Sequence, residues 1–152
     1  RPMLERLLSL FHIDRAVTTL PQADAQHALG ALLVRAAKID RAYLFEEVEQ
    51  IDQVLAHLYK MDPVAAAKMR ARCELLEDSM PDTENLARVL HDAIPMADRE
   101  AAVSALWAVV FADGTELPEE DDLLHQIEAI LGVAPDRAIA LHDAAQIAAG
   151  LA

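Results

Sequence analysis

Apolar residues recur along most of this chain at the spacing of a helix that buries one face. Between Val103 and Phe111 they fall at i, i+3, i+4, i+7 and i+8, and a narrower stripe of the same kind runs from Val48 to Leu58. No stretch alternates apolar and polar residues at period two, which is the pattern of a half-buried strand. The hydrophobic pattern therefore predicts an all-α protein.

Proline, aspartate and glycine mark where these helices begin and end. Asp62-Pro63 and Leu117-Pro118 place proline at a first helical position, and Gly132 stands where a left-handed residue ends a helix. The connections are short, so the helices pack as a compact single-domain bundle of about seven to eight helices. We predict helices over residues 3–11, 22–39, 45–61, 63–78, 82–94, 97–112, 118–131 and 135–149.

The chain divides into a short first part and a long second part. Residues 1–21 are predicted to form an N-terminal amphipathic helix and its connection, and residues 22–152 the helical domain. We expect the N-terminal helix to dock on the bundle, with contact to a membrane surface as the alternative. Because the chain begins Arg1-Pro2, we expect either preceding residues or initiation at Met3.

One segment of the pattern occurs twice, 73 residues apart. In residues 36–47 and again in residues 109–120, an apolar helix stops at an Asp, the chain turns, and a second helix opens with a Glu pair. The matched acids are Asp40 with Asp113 and Glu47 with Glu120. Two such hairpins bury their apolar faces against each other, which predicts a duplicated helical hairpin as the framework.

Composition changes this picture mainly through charge. The net charge of −13 argues against nucleic acid as a partner, because phosphates need a basic footprint. No apolar run approaches the roughly 20 residues of a bilayer span, and no signal peptide is visible, so we expect a cytoplasmic protein without a transmembrane segment. Cys73 is the single cysteine, which excludes an internal disulfide, and we expect it in the core.

The repeated segments resemble a known family. The run Ala112-Asp113-Gly114, followed by an acidic helix start and closed by Leu131-Gly132, resembles the second half-repeat of the tellurite-resistance TerB family. Residues 36–58 resemble the first half-repeat, with Arg41 where that family usually has glycine. The resemblance extends over roughly residues 22–145. It implies an all-helical, non-enzymatic TerB-like domain of bacterial stress response.

Two further properties come with that resemblance. Clustered acidic residues in the family are proposed to bind a divalent metal, and the family is similar to domains that are linked to membrane-bound partners. For this chain the resemblance therefore implies a cation site, a protein partner, and a scaffold or sensor role. It leaves a peripheral position at the inner membrane open.

The candidate metal ligands are the repeated acids and one neighbour, namely Asp113, Glu120, Asp40, Glu47 and Glu119. An Asp at the C-terminus of a helix faces unpaired carbonyls and the negative end of the helix dipole, which a cation would relieve. The glutamates lie in a first helical turn, where the dipole favours them with or without a metal. Asp-Gly is also a favoured turn pair by itself.

If a cation binds, carboxylates and water hold it weakly, which suits Mg²⁺, Ca²⁺ or Mn²⁺. The segment is not an EF-hand, because Gly114 follows the first Asp directly and Leu124 stands at the twelfth position. The second copy keeps the Asp-Gly turn and the denser acids. If only one copy is functional, we expect the second.

Acidic residues concentrate around this second copy. Residues 100–136 hold nine acids and no Lys or Arg. Either this is a solvated helix face, or it receives a basic partner surface through Glu116, Asp121 and Asp122. Zinc at an Asp-x-x-His pair that ends at His125 is a lesser possibility, because the sequence shows one helix alone as a supplier of ligands.

Enzyme motifs are missing from the sequence. It contains no Gly-rich phosphate loop, no nucleophile elbow and no His-Glu-x-x-His helix, and no histidine has Glu three residues before it. We therefore expect no catalysis and no cofactor other than the cation. The rival hypothesis is a purely structural interaction domain that docks a partner helix, with the acids serving solubility.

Overall fold

A computed structural model of the chain describes residues 23–40 and 42–151. This part contains seven α-helices and no strand, which confirms the predicted all-α bundle. The helices are α1 Ala25–Lys38, α2 Phe45–Tyr59, α3 Pro63–Ser79, α4 Thr83–Ala93, α5 Met96–Val110, α6 Pro118–Leu131 and α7 Pro135–Ala148, with a 3₁₀ turn at Phe111–Asp113. The helix predicted over residues 3–11, and with it the part assigned to residues 1–21, lies outside the described residues.

Aspartate caps account for where several helices begin. The side chain of Asp24 accepts a hydrogen bond from the backbone N of His27 at 2.9 Å, so α1 starts three residues later than predicted. Asp62 and Asp82 cap α3 and α4 in the same way. The helix predicted to end at residue 112 changes to 3₁₀ geometry after Val110. The resulting tight turn places Asp113 in the connection between α5 and α6.

Helix α1 is the centre of the bundle. Its residues 28–37 are all buried, and it contacts every helix from α2 to α6. A Cβ atom at Gly30 would lie 2.1 Å from Sγ of Cys73 on α3, so the close approach of the two helices depends on glycine. Cys73 is buried in the core as expected, and burial raises the pKa of its thiol to about 12.

The two copies of the repeat are the hairpins α1–α2 and α5–α6, and they pack against each other. Matched core positions are buried in both copies, as in Leu33 with Leu106 and Ile51 with Leu124. Helices α3 and α4 connect the hairpins along the chain and cover α1. Helix α7 packs on α5 and buries no residue completely. The packing of the hairpins positions both acidic turns.

One buried arginine stabilises the connection between α3 and α4. Arg35 is 8% exposed, and its guanidinium donates to the Glu77 carboxylate at 3.1 Å and to the Thr83 hydroxyl at 3.1 Å. It also donates to the backbone carbonyls of Glu77 and Met80, at the end of α3. The arginine therefore satisfies carbonyls that have no partner within the helix.

Candidate metal centre

Each copy of the repeat forms its turn with the same aspartate hydrogen bond. Oδ1 of Asp40 accepts from the backbone N of Ala42 at 3.0 Å, and Oδ1 of Asp113 accepts from the backbone N of Thr115 at 3.0 Å. The Thr115 hydroxyl adds a second bond to Asp113 at 2.9 Å. These bonds fix both aspartates through one oxygen. The duplication therefore extends to individual contacts.

The two glutamates repeat a second contact. Oε1 of Glu47 accepts from the backbone N of Leu44 at 3.0 Å, and Oε1 of Glu120 accepts from the backbone N of Leu117 at 2.8 Å. Each glutamate thus caps the helix in which it lies. Both side chains are 0% exposed, and Oε2 of each has no hydrogen-bond partner among the described residues. Capping therefore accounts for one oxygen of each glutamate and leaves the other unsatisfied.

The fold brings the two copies together at one place. One carboxylate oxygen from each of Asp40, Glu47 and Asp113 lies within 4.8 Å of the other two. Helix α2 contacts the 3₁₀ turn of the second copy, and this contact places Glu47 beside Asp113. Glu120 is close enough for the same three acids to affect its pKa. We call these four residues, Asp40, Glu47, Asp113 and Glu120, the acidic corner.

Burial and mutual repulsion hold protons on the glutamates. Desolvation raises the pKa of Glu47 to about 7, the hydrogen bond from Leu44 opposes this, and the charges of Asp40 and Asp113 add to it. Desolvation likewise raises the pKa of Glu120 to about 7, again against a backbone hydrogen bond and with repulsion from the other three acids. A cation among these groups would favour their charged forms.

Comparison with known proteins was made for the whole chain. The family model described as tellurite resistance protein TerB matches residues 26–143. The chain belongs to the TerB family. The match includes both turns of the acidic corner and confirms the family that the repeated residues indicated. Neither the curated proteins nor the solved structures gave a match.

The other acids proposed for the metal or a partner lie outside the acidic corner of this TerB domain. Glu119 and Asp122 are exposed to solvent. Glu119 precedes Glu120 on α6, and neighbouring helical residues point about 100° apart, so the two cannot both face the cluster. Glu116 and Asp121 are half-buried and line a separate cleft with His142. The Asp-x-x-His pair at His125 indicated one wall of this cleft. Histidine spacing gave no signal for His142, because its partner Glu116 lies 26 residues away in the loop before α6.

The residues of the acidic corner fit a hard divalent cation. All donors are carboxylate oxygens, which Mg²⁺, Ca²⁺ and Mn²⁺ prefer. Two of them, Oε2 of Glu47 and Oε2 of Glu120, are buried with no protein partner among the described residues. Buried polar atoms in native structures nearly always have a hydrogen-bond partner, so we expect each of these two oxygens to carry a proton or to bind an ion.

None of the helices within residues 23–40 and 42–151 is long and apolar enough to cross a bilayer.

Proposed function

We propose that this TerB protein is a non-enzymatic helical module whose acidic corner binds one divalent cation, Mg²⁺, Ca²⁺ or Mn²⁺. The observation that carries the proposal is the pair of buried, unpartnered oxygens on Glu47 and Glu120. The ligand atoms of Glu47, Asp40 and Asp113 already lie within 4.8 Å of one another, and Glu120 is close enough for all three to repel its charge. A cation would satisfy these oxygens and offset the repulsion among four carboxylates.

The affinity of such a site is expected to be weak. Both glutamates have a pKa of about 7, so at neutral pH a cation must displace protons from them. One oxygen of each of the four acids is already engaged by a backbone N–H group. The cation would therefore keep several water ligands.

A cation at this place would link the two halves of the duplication. Asp40 and Glu47 come from the hairpin α1–α2, and Asp113 and Glu120 come from the second copy. Binding to the folded state alone stabilises that state by mass action. Occupancy would thus tighten the contact between the hairpins, which supports a sensor or scaffold role in bacterial stress response, with a protein partner as its target.

Isothermal titration calorimetry at pH 8 tests this proposal with Ca²⁺, Mg²⁺ and Mn²⁺ in turn. We expect saturable binding of at least one ion to the wild type and a loss of at least tenfold in affinity in the double variant Glu47→Gln/Glu120→Gln. The matched control is Glu119→Gln/Asp122→Asn, which removes the same charge from exposed positions of α6. No binding of any of the three ions to the wild type would contradict the proposal.

The alternative is a structural domain that docks a partner helix without a cation. Helix α7 favours it, because Ile139 and Ile147 are exposed on one side of that helix, eight residues apart. This alternative predicts no binding heat in the titration. It also predicts that partner capture survives the double variant of the acidic corner.

A further inference from the structure

A cleft of about 620 Å³ lies between α6 and α7, away from the four residues of the acidic corner. Its floor is apolar and includes Trp107 of α5, and its polar lining consists of Glu116, Asp121, His125, Glu128 and His142. No Lys or Arg belongs to this lining. The cleft, which we call the histidine cleft, therefore combines imidazole and carboxylate groups without a lysine or arginine to neutralise the carboxylates.

Both ring nitrogens of His142 lie against carboxylates. Its Nε2 lies 2.9 Å and 3.0 Å from the two carboxylate oxygens of Glu116, and its Nδ1 lies 2.8 Å from Oδ1 of Asp143. The ring also packs edge-on against Trp107, with 4.7 Å between ring centroids, and against Phe111 at 5.4 Å. A metal-binding histidine usually has one ring nitrogen on a carboxylate, as Nδ1 of His142 has on Asp143, and the other on the metal. In this structure the other nitrogen, Nε2, is paired with Glu116.

Two further carboxylates complete the cleft. Oδ1 of Asp121 is buried and has no hydrogen-bond partner among the described residues. Asp121 and Glu116 line the same cleft. Glu128 is 5% exposed, and its Oε2 accepts a hydrogen bond from Trp107 Nε1 at 3.1 Å. The wall of the cleft thus contains a nearly fully buried carboxylate beside an unsatisfied one.

We propose that the histidine cleft is a second metal site, which binds Zn²⁺ through His142 Nε2, Glu116 and Asp121. Two ligands of one tetrahedral zinc ion lie about 3.3 Å apart, only slightly more than the 2.9–3.0 Å between Nε2 and the Glu116 oxygens. Zinc would therefore replace the proton that these groups now share, with little movement. Among the described residues, three ligand atoms lie within 4.8 Å of one another in the acidic corner and not in this cleft. Asp121 or His125, which line the cleft, would therefore have to turn toward the ion to supply the third ligand.

The ligand types separate the two sites. The acidic corner offers oxygen atoms alone, which suit hard cations, whereas an imidazole with two carboxylates suits zinc. The ligands come from the loop before α6, from α6 and from α7. Zinc would accordingly join α7, which buries no residue completely, to the rest of the bundle.

Zinc titration in millimolar Mg²⁺, followed by calorimetry and by the fluorescence of Trp107, tests this site. Trp107 is the only tryptophan of the chain and contacts His142, so its emission reports on the cleft. We expect one Zn²⁺ per chain, and an affinity at least tenfold lower in His142→Gln and in Glu116→Gln. The matched control is His91→Gln, because His91 forms the same type of pair with Asp92 at 2.9 Å on the surface. This control should bind zinc within twofold of the wild type.

Co²⁺ absorption provides a second measurement, with far-UV circular dichroism to show that each variant is folded. An intense visible band of tetrahedral Co²⁺ in the wild type that disappears in His142→Gln would support the site. Three results would overturn it: no zinc binding to the wild type, unchanged affinity in folded His142→Gln, or loss of zinc binding in Glu47→Gln/Glu120→Gln. Absence of zinc binding would mean that His142 and Glu116 form only an ion pair. Loss of zinc binding in Glu47→Gln/Glu120→Gln would mean that zinc binds in the acidic corner.

Discussion

Glu47 and Glu120, which stand 73 residues apart, have the same hydrogen bonding: one carboxylate oxygen is bonded and the other is not. In each, Oε1 accepts from a backbone N–H three residues earlier, and Oε2 is buried without a partner. Capping stabilises the start of a helix, whereas a buried unsatisfied oxygen costs about 1–3 kcal/mol. The duplicated hairpin therefore carries the same electrostatic cost twice, and both costs fall in the acidic corner.

The first prediction concerns stability without metal. The pKa of both glutamates is about 7 in the folded state, above their ordinary value of 4.5, so the folded state binds more protons than the unfolded state between pH 4.5 and pH 7. Stability should therefore fall as pH rises from 4.5 to 7 and stay low above it. Urea unfolding in EDTA at pH 5 and pH 8 should show a loss of about 2–3 kcal/mol in the free energy of unfolding for each glutamate.

The variant Glu47→Gln/Glu120→Gln isolates this contribution. Glutamine keeps an oxygen for the backbone N–H of Leu44 and of Leu117 but carries no charge, so the variant should be more stable than the wild type at pH 8. The exposed pair Glu119→Gln/Asp122→Asn should keep the pH dependence of the wild type. An equal pH dependence in all three proteins would show that the buried glutamates do not titrate as described.

The second prediction concerns how cation binding depends on pH. Because the cation must displace protons from Glu47 and Glu120, its apparent affinity should increase between pH 6 and pH 8, by about tenfold for each glutamate that must ionise. Calorimetry at pH 7 in two buffers with different ionisation enthalpies should detect released protons. A binding heat that is independent of the buffer would argue that the glutamates are already ionised or do not bind the cation.

Local sequence patterns were sufficient to predict the seven helices of the described residues and the turns at which the repeated acids lie. The positions of Asp113 and Glu120 could be predicted, because Asp113 lies at the end of one helix and Glu120 lies in the first turn of the next. The sequence alone does not show which of Glu119 and Glu120 points into the acidic corner, because that depends on which face of α6 packs against the core. Asp40 meets Asp113 through packing of α2 on the 3₁₀ turn, and no local spacing contains such a contact.

His142 shows the same limit more clearly. Its partner Glu116 is 26 residues away, in the loop before another helix. Histidine spacing and the Asp-x-x-His pair at His125 pointed to α6 alone. The orientation of the His142 ring, with Nε2 toward Glu116, depends on the packing of α7 on α5, which places His142 against Trp107.

The third prediction tests the close contact between α1 and α3. Gly30→Ala adds a Cβ only 2.1 Å from Cys73 Sγ, so it should destabilise the protein by about 1–3 kcal/mol, although alanine favours a helix. Cys73→Ala removes that sulfur, and the double variant Gly30→Ala/Cys73→Ala should recover part of the loss. Because Cys73 Cβ would remain 3.1 Å away, full recovery is not expected. Additive losses in a double-mutant cycle would contradict a direct clash.

The fourth prediction compares two arginines in different surroundings. Arg35→Met removes a buried guanidinium and leaves the Glu77 carboxylate, itself 11% exposed, and the Met80 carbonyl without this donor. We expect a loss of about 3 kcal/mol in the free energy of unfolding, because the largely buried Glu77 carboxylate then keeps only its ion pair with Lys38 at 2.8 Å. Arg88→Met breaks an ion pair with Glu84 at 2.9 Å on the surface of α4, where such pairs contribute less than about 1 kcal/mol. Chemical denaturation of both variants measures the difference. Similar losses would mean that Arg35 stabilises the protein no more than a surface ion pair does, and that the end of α3 does not depend on it.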